Sequence, residues 1–474
     1  MTGTLKNLCT FGLLAAVLSG CASVPQDAGF DNVRNLVAER TGQRVQWLQG
    51  GPEDQAVADT VQAMLKQELT VDQTVQIALL NNRRLQATYE DLGLAQVNLV
   101  QAGLLRNPVF NAGILFLRGA APADLEFSVV QDFLSILYRP LRRSIAEAEF
   151  EAAKFKVAGA VLDLAGQVRA AFYRTQAQEQ TVEFLNQVVE ATGAAYDAAK
   201  RLHEAGNITD LALANERALS EDARLALTGA KLELATGRER LNVLMGLWGT
   251  DTQWKMNPRL PEITDESPDL ADMERRAIAA NLDLAAQRKQ IEGLAKLLGL
   301  TNATALIPQL DLGAAFIRDD GIYKRGPTLG LEIPLFDQGQ ARVAAAQSGL
   351  RRMQQNYTAL ATEIRSAARA TAQAIEVTRA QAQFMKNVIL PTRTKIVNDT
   401  LLQYNAMQVG IFQLLLAQQQ QISAGRQYIE TLRNYWLART GLGQILNGRI
   451  SDVGFSAGSM MDTAGLTGMQ TGGH

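Results

Sequence analysis

The sequence predicts an α+β membrane protein: long α-helices packed into a tube, plus four β-strands per chain that contribute to a twelve-stranded β-barrel shared by three copies. Three observations predict it. A unit of about 200 residues is written twice. Each copy carries a pair of amphipathic strands with period-two alternation. Each pair then runs into a helical stretch of about sixty residues, far beyond an ordinary globular helix.

The duplication is read residue by residue. The segment from Leu69 to Phe116 parallels that from Leu270 to Phe316. Asn82 in LLNNRRLQA matches Asn281 in IAANLDLAA, 199 positions on, and Pro108 and Gly113 match Pro308 and Gly313. Near the unit ends, RERLNVLMG and RTGLGQILNG align Gly246 with Gly448. The period is that of a duplicated half, not of a short-repeat solenoid.

Each unit opens with a modest helix. Thr70-Val-Asp-Gln73 has the form of a capping box, and Ser267-Pro268 supplies an N-cap and a first helical residue for the second unit. The helical pattern runs to about Leu104 and about Leu300.

Strands follow. In PTLGLEIPLF, Leu329, Leu331, Ile333 and Leu335 alternate with Thr328, Gly330, Glu332 and Pro334. Phe127, Val129 and Phe133 share one face opposite Glu126, Ser128 and Asp132. Leu310, Leu312, Ala314 and Phe316 alternate with Gln309, Asp311 and Gly313. Such alternation is the transmembrane barrel pattern, although a half-buried sheet in a soluble domain shows it too. Polar turns are expected from Arg118 to Leu125 and from Arg318 to Pro327, the latter around Asp319-Asp320-Gly321.

Pro140 sits at a helix start and opens an uninterrupted run to about Leu202, roughly 95 Å at 1.5 Å per residue. A break from Glu204 to Asp210 leads into a second helix from about Leu211 to Met245. In it Leu227, Leu234 and Leu241, and Leu225 and Leu232, recur every seven residues, a coiled-coil period. The second unit repeats the plan from about Gly339 to Leu402 and from about Ile411 to Leu446, with Pro391 expected to kink its first helix. Four strands cannot close a barrel, and an open sheet edge in lipid leaves backbone groups unpaired. Three chains give twelve strands, an even number in the usual range.

The N-terminus addresses the compartment. Lys6, the apolar stretch Leu8 to Leu18, and the small residues Ser19 and Gly20 before Cys21 read as a signal peptide over residues 1–20. The run Leu18-Ser19-Gly20-Cys21 resembles the lipobox of bacterial lipoproteins, which implies that Cys21 carries the lipid anchor, palmitate included. Cleavage removes Cys9 and leaves Cys21 alone, so no disulfide forms within a mature chain. The expected organisation is then a lipidated segment over 21–68, a first repeat over 69–248, a linker over 249–268, a second repeat over 269–448 and a flexible Gly/Met-rich tail over 449–474.

These residues resemble the TolC family of outer-membrane efflux proteins. The opening helix LTVDQTVQIALLNNRRLQA resembles the start of the family's first repeat. LEIPLFDQGQARVAAAQ resembles its second-repeat strand and turn into the long helix. HEAGNITDLALANERA and QYNAMQVGIFQLLLAQQQ resemble the two hairpin tips. The match covers about residues 69 to 448. It implies a homotrimer with its barrel in the outer membrane and a helical periplasmic tube, docking a periplasmic adaptor (membrane fusion) protein. An inner-membrane pump of the resistance-nodulation-division type would complete the tripartite efflux system and supply the energy. Related channels carry an acidic residue just past the second tip, where this sequence has Gln413; Asp210 is assigned the corresponding place in the first repeat. Both are candidate gate residues.

Enzymatic chemistry has no foothold. The only histidines are His203 and His474, there is no phosphate-binding loop, and GLGQILNG from Gly441 reads as a helix end. No catalytic, cofactor or metal site is assigned. A net charge of -2 carries no polybasic signal for nucleic acid. The tail's Met460, Met461, Met469 and His474 would suit a soft cation, but its composition favours an unliganded segment. With the tip sequence YNAM it tilts the substrate slightly towards metal ions, with drugs and solvents left open. Two other functions stay open: the outer-membrane duct of a type I protein secretion system, and a coiled-coil scaffold lipoprotein without a pore.

Overall fold

The computed structural model describes residues 24–25, 27–116, 123–263, 272–319 and 322–450. Cys21, the Ser267-Pro268 cap and the tail methionines lie outside them. The described residues fall into two compact units. One takes in the chain up to Val33, Ala87–Val157 and Leu282–Leu360; the other takes in Arg34–Gln86, Ala158–Asn281 and the chain from Ala361 onward. Both halves of the duplicated sequence contribute to each unit.

The element order is α1 (Phe30–Thr41), α2 (Pro52–Leu65), β1 (Glu68–Leu69), α3 (Val71–Asn81), α4 (Arg83–Ala102), β2 (Val109–Leu115), β3 (Asp124–Asp132), α5 (Phe133–Leu137), α6 (Arg139–Glu204) and α7 (Asp210–Met245). There follow β4 (Lys255–Met256), α8 (Met273–Ala280), α9 (Leu282–Leu306), β5 (Leu310–Asp319), β6 (Ile322–Leu331), α10 (Gln340–Phe384), α11 (Leu390–Asn405) and α12 (Ile411–Leu446). Helix α6 alone holds 66 residues, about 100 Å of helix. Among the described residues no helix is long and apolar enough to cross a membrane.

Thr70 caps α3 as a full capping box: its hydroxyl accepts from the Gln73 amide while the Gln73 side chain accepts from the Thr70 amide. The two asparagines paired by the duplication do the same structural job. Asn82 ends α3 and Asn281 ends α8, both in extended conformation with ψ of 114° and 123°, so each opening helix breaks once and restarts. Asn82 is buried, donating to the Leu244 carbonyl and accepting from the Leu85 amide. The paired glycines agree as well. Gly246 (φ +69°) and Gly448 (φ +103°) lie where an added Cβ would collide with the backbone carbonyls of Asn81 and Ala280, the residues just before those breaks. Helix and break are thus locked to the end of each unit's last helix at matched positions.

Between the helix ends lies a small parallel pairing of β1 with β4, Glu68 opposite Lys255 and Leu69 opposite Met256. Beside it Trp254 is buried, its indole N–H donating to Asn242 Oδ1 at 2.7 Å, with the Arg238 guanidinium stacked on its ring. Pro391 shapes the second repeat's long helix: Met385–Ile389 forms a π-helical turn immediately before it. Proline lacks the amide that the ladder needs, and the wider turn absorbs the missing bond.

Three expectations about the strands change. The fourth strand ends at Leu331, and Ile333, Leu335 and Phe336 are exposed outside the sheet. Pro334 cannot donate to a ladder, so the alternation beyond Leu331 has no strand to serve. Phe133 belongs to α5, whose N-cap Asp132 accepts from the Ser135 amide. The expected long turn from Arg318 to Pro327 is mostly strand, with β5 and β6 paired from Leu310↔Leu331 to Asp319↔Ile322.

Candidate functional site

The four long strands form one antiparallel sheet in the order β2-β3-β5-β6, so the two strand pairs of the duplicated sequence meet at β3 and β5. Directly opposed residues share a face, and the register therefore sorts every side chain. One face carries Phe110, Ile114, Phe127, Val129, Leu312, Phe316, Leu329 and Leu331. The other, more polar face carries Asn111, Glu126, Ser128, Asp132, Asp311, Thr328 and Lys324, together with Val109, Leu115, Val130, Ile317 and Ile322. The apolar face is bare in a single chain: Phe110 is 63% exposed and Phe316 50%. Phe110 and Phe127 stack on it with ring centroids 6.1 Å apart. Strands β2 and β6 present unpaired edges, and Pro327 lies in β6, an edge position that tolerates the missing amide.

The second candidate region is the pair of helical turns. At the first, α6 ends with Gly206 at φ +73°; the Gly206 amide donates to the His203 carbonyl and the Asn207 amide to that of Leu202. At the second, Met407 at φ +57° takes the same role. Its amide donates to the Tyr404 carbonyl, and the Gln408 amide to that of Gln403. Thr209 then caps α7 and Gly410 precedes α12. This hydrogen-bond register pairs Asp210 with Ile411 and Gln413 with Ala212. The two candidate gate residues are therefore not at matching positions, contrary to the sequence alignment.

Asp210 is the first residue of α7, almost fully exposed, with Oδ1 2.5 Å from His203 Nε2. The cap is Thr209, whose hydroxyl accepts from the Ala212 amide at 3.2 Å. Asp210 instead adds a negative charge at a helix N-terminus, where the macrodipole favours it. Gln413 is exposed, its amide donating to the Gly410 carbonyl. Met407 is 95% exposed. Among the described residues no cluster of His, Cys, Asp or Glu could hold a metal ion.

Sequence reasoning found the heptad leucines of α7 but not which way they face, and it missed two further features. Leu225 and Leu232, with Leu211, form an exposed stripe, the first two 73% and 70% exposed, so the coiled-coil period has an outward as well as an inward seam. Glu216, one turn from Ser220, is buried to 6% exposure without a hydrogen-bond partner for one carboxylate oxygen, and burial pushes its carboxyl above the usual range. A groove of about 1260 Å³ runs between α6 and α12, walled by Phe172, Tyr173, Phe184, Val188, Ile422 and Ile429. At its end Tyr173 stacks on Trp436, centroids 5.1 Å apart.

Comparison with known proteins agrees with this geometry. Residues 74–247 match the family model described as outer membrane efflux protein. The chain is 23% identical over 391 residues to the cobalt-zinc-cadmium resistance protein CzcC of Cupriavidus metallidurans, covering 80% of this chain and 90% of that one. Its fold is similar to that of the CmeC outer membrane channel of Campylobacter jejuni, with a TM-score of 0.68 at 16% identity over 82% of this chain and 88% of that one. It is equally similar to the outer membrane protein VceC of Vibrio cholerae, with a TM-score of 0.68 at 15% identity over 80% and 97%.

Proposed function

We propose that the chain, whose residues 74–247 match the outer membrane efflux protein model, is a member of that family and one protomer of a homotrimeric exit duct in a tripartite efflux system. It is an efflux channel of the outer membrane and not an enzyme. The observation that carries the finer reading is the four-stranded sheet with one apolar face and two open edges. In lipid those edges need partners, and three copies placed edge to edge provide them in a closed barrel. The exposed leucine stripe of α7 supports the same assembly, since a seam of heptad leucines seeks a second helix.

On this reading the polar face lines the lumen and the apolar face meets lipid. Cys21 carries the acyl anchor after removal of residues 1–20. The duct docks a periplasmic adaptor and an inner-membrane pump of the resistance-nodulation-division type, and the largely apolar lining of the groove between α6 and α12 suits a partner helix. Likeness to a cobalt-zinc-cadmium resistance protein supports divalent metal ions as cargo. The two tips form the periplasmic gate, with Asp210 as its charged group.

Reconstitution tests the reading. Purified protein in planar bilayers should give discrete conductance steps, and cells lacking it should become sensitive to zinc, cobalt or cadmium. A protein that binds lipid without conducting would favour the scaffold reading instead.

A further inference from the structure

On the apolar face the last two rows before residue 320 break the pattern. Phe127, Phe316 and Arg325 lie side by side in one row, and Leu125, Arg318 and Tyr323 in the next. Two arginines and a tyrosine therefore sit on the face that otherwise carries only apolar groups and Gln131. They are at the end of the sheet remote from the strand ends that lead to α5 and α9.

The described carboxylates at this end lie on the other face. Asp124 pairs with Leu115 and Asp319 with Ile322, both on the polar face, where Asp319 is held by Lys324 at 2.6 Å. Arg318 lies with its guanidinium 5.8 Å from the Tyr323 ring, and its Nε is buried without a hydrogen-bond partner. Arginine on the lipid side of a barrel is costly at the bilayer midplane and tolerated near the interface. Both arginines must then stand at the headgroup level, with Phe316 and Phe127 level with Arg325 and one row below Arg318.

We propose that Arg318, Arg325 and Tyr323 form a clasp for the phosphate of an anionic glycolipid or phospholipid headgroup, whose acyl chains lie down the apolar face over Phe316. Diagonal neighbours on a sheet face are about 7–8 Å apart at Cα, so two planar guanidinium forks reach one phosphate. Tyrosine is suited to the same boundary, apolar in body and polar at its tip. The lipid is favoured over a free anion because the clasp opens onto the apolar surface, not onto the polar face. The inference rests on the reading of the sheet as a membrane barrel wall.

The test uses the full-length protein in phosphatidylcholine nanodiscs doped with bisphosphorylated lipid A or with its dephosphorylated form. Bound lipid is counted by native mass spectrometry. The wild type should retain the phosphorylated lipid roughly tenfold better than the dephosphorylated one. The double variant Arg318→Gln/Arg325→Gln should lose that preference, while Arg318→Lys/Arg325→Lys keeps part of it and Lys324→Gln keeps all. Equal retention by the Gln/Gln variant would overturn the clasp, and displacement of the lipid by millimolar inorganic phosphate would make it a free-anion site. Conductance in undoped phosphatidylcholine separates the two readings. A protein that conducts without a phosphate preference overturns the clasp alone; one that neither inserts nor conducts overturns the barrel reading and the clasp with it.

Discussion

Gly246 packs against Asn81 so closely that an added Cβ would stand 2.7 Å from the Asn81 carbonyl oxygen, while Asn81 Nδ2 donates to the Gly246 carbonyl at 2.9 Å. The contact joins the last helix of the first repeat to its opening helix. Its counterpart at Gly448 adds Arg40, which donates to the carbonyls of Ala280 and Asn447, both at 2.6 Å.

Gly246→Ala should therefore destabilise strongly. A left-handed backbone costs an L-residue about 1–2 kcal/mol, and the collision with an immobile carbonyl adds to it. Gly448→Ala should behave alike. Gly443→Ala is the control: it lies inside α12 with open space around its Cα, and should stabilise by about 0.5–1 kcal/mol. Thermal unfolding in detergent reads all three.

Thr209 and Asp210 separate capping from gating. Thr209→Ala removes the hydroxyl that holds the Ala212 amide and should cost about 1 kcal/mol, leaving ion selectivity unchanged. Asp210→Ala should leave stability within a few tenths of a kcal/mol and reduce cation selectivity in planar bilayers. Gln413→Ala should change selectivity less, because it adds and removes no charge. Equal selectivity in all three would remove Asp210 from the gate.

Glu216 should make stability fall as pH rises. Burial raises its carboxyl pKa in the folded state, so between the unfolded and folded values the native protein holds a proton that the unfolded chain has lost. The stabilisation is complete below the unfolded value and disappears as pH climbs through the folded one. Glu216→Gln should flatten that slope and raise stability at neutral pH by about 1 kcal/mol. An unchanged slope in pH-dependent unfolding would show that another group is responsible.

Cys21→Ser should abolish incorporation of a radiolabelled fatty acid. Persistent labelling would move the anchor elsewhere, since Cys9 lies within the expected signal peptide.

Much of this was legible because it is written in local chemistry. Asn82, Asn281, Gly246 and Gly448 were found by matching one half of the chain to the other, and each performs the matched task. Helix α12 spans the expected residues because no proline interrupts it. The faces of Phe127, Val129, Leu312, Phe316, Leu329 and Leu331 followed from alternation alone. What escaped depends on the chain's other parts. The strand limit at Leu331 is set by where pairing with β5 runs out, and the register of the two tips by hydrogen bonds that put Met407 where the first tip has Gly206. Sequence similarity around Gln413 suggested another register because α7 and α12 carry unlike side chains just past their caps. The arginines at 318 and 325 looked like turn residues, and only strand pairing put them on the apolar face.

The shared barrel is tested most directly by the native mass of the purified protein in detergent, with strand content checked by circular dichroism. Three chains per particle are predicted, held by the β2 and β6 edges and the leucine stripe of α7. A monodisperse monomer that keeps its strands would contradict the account.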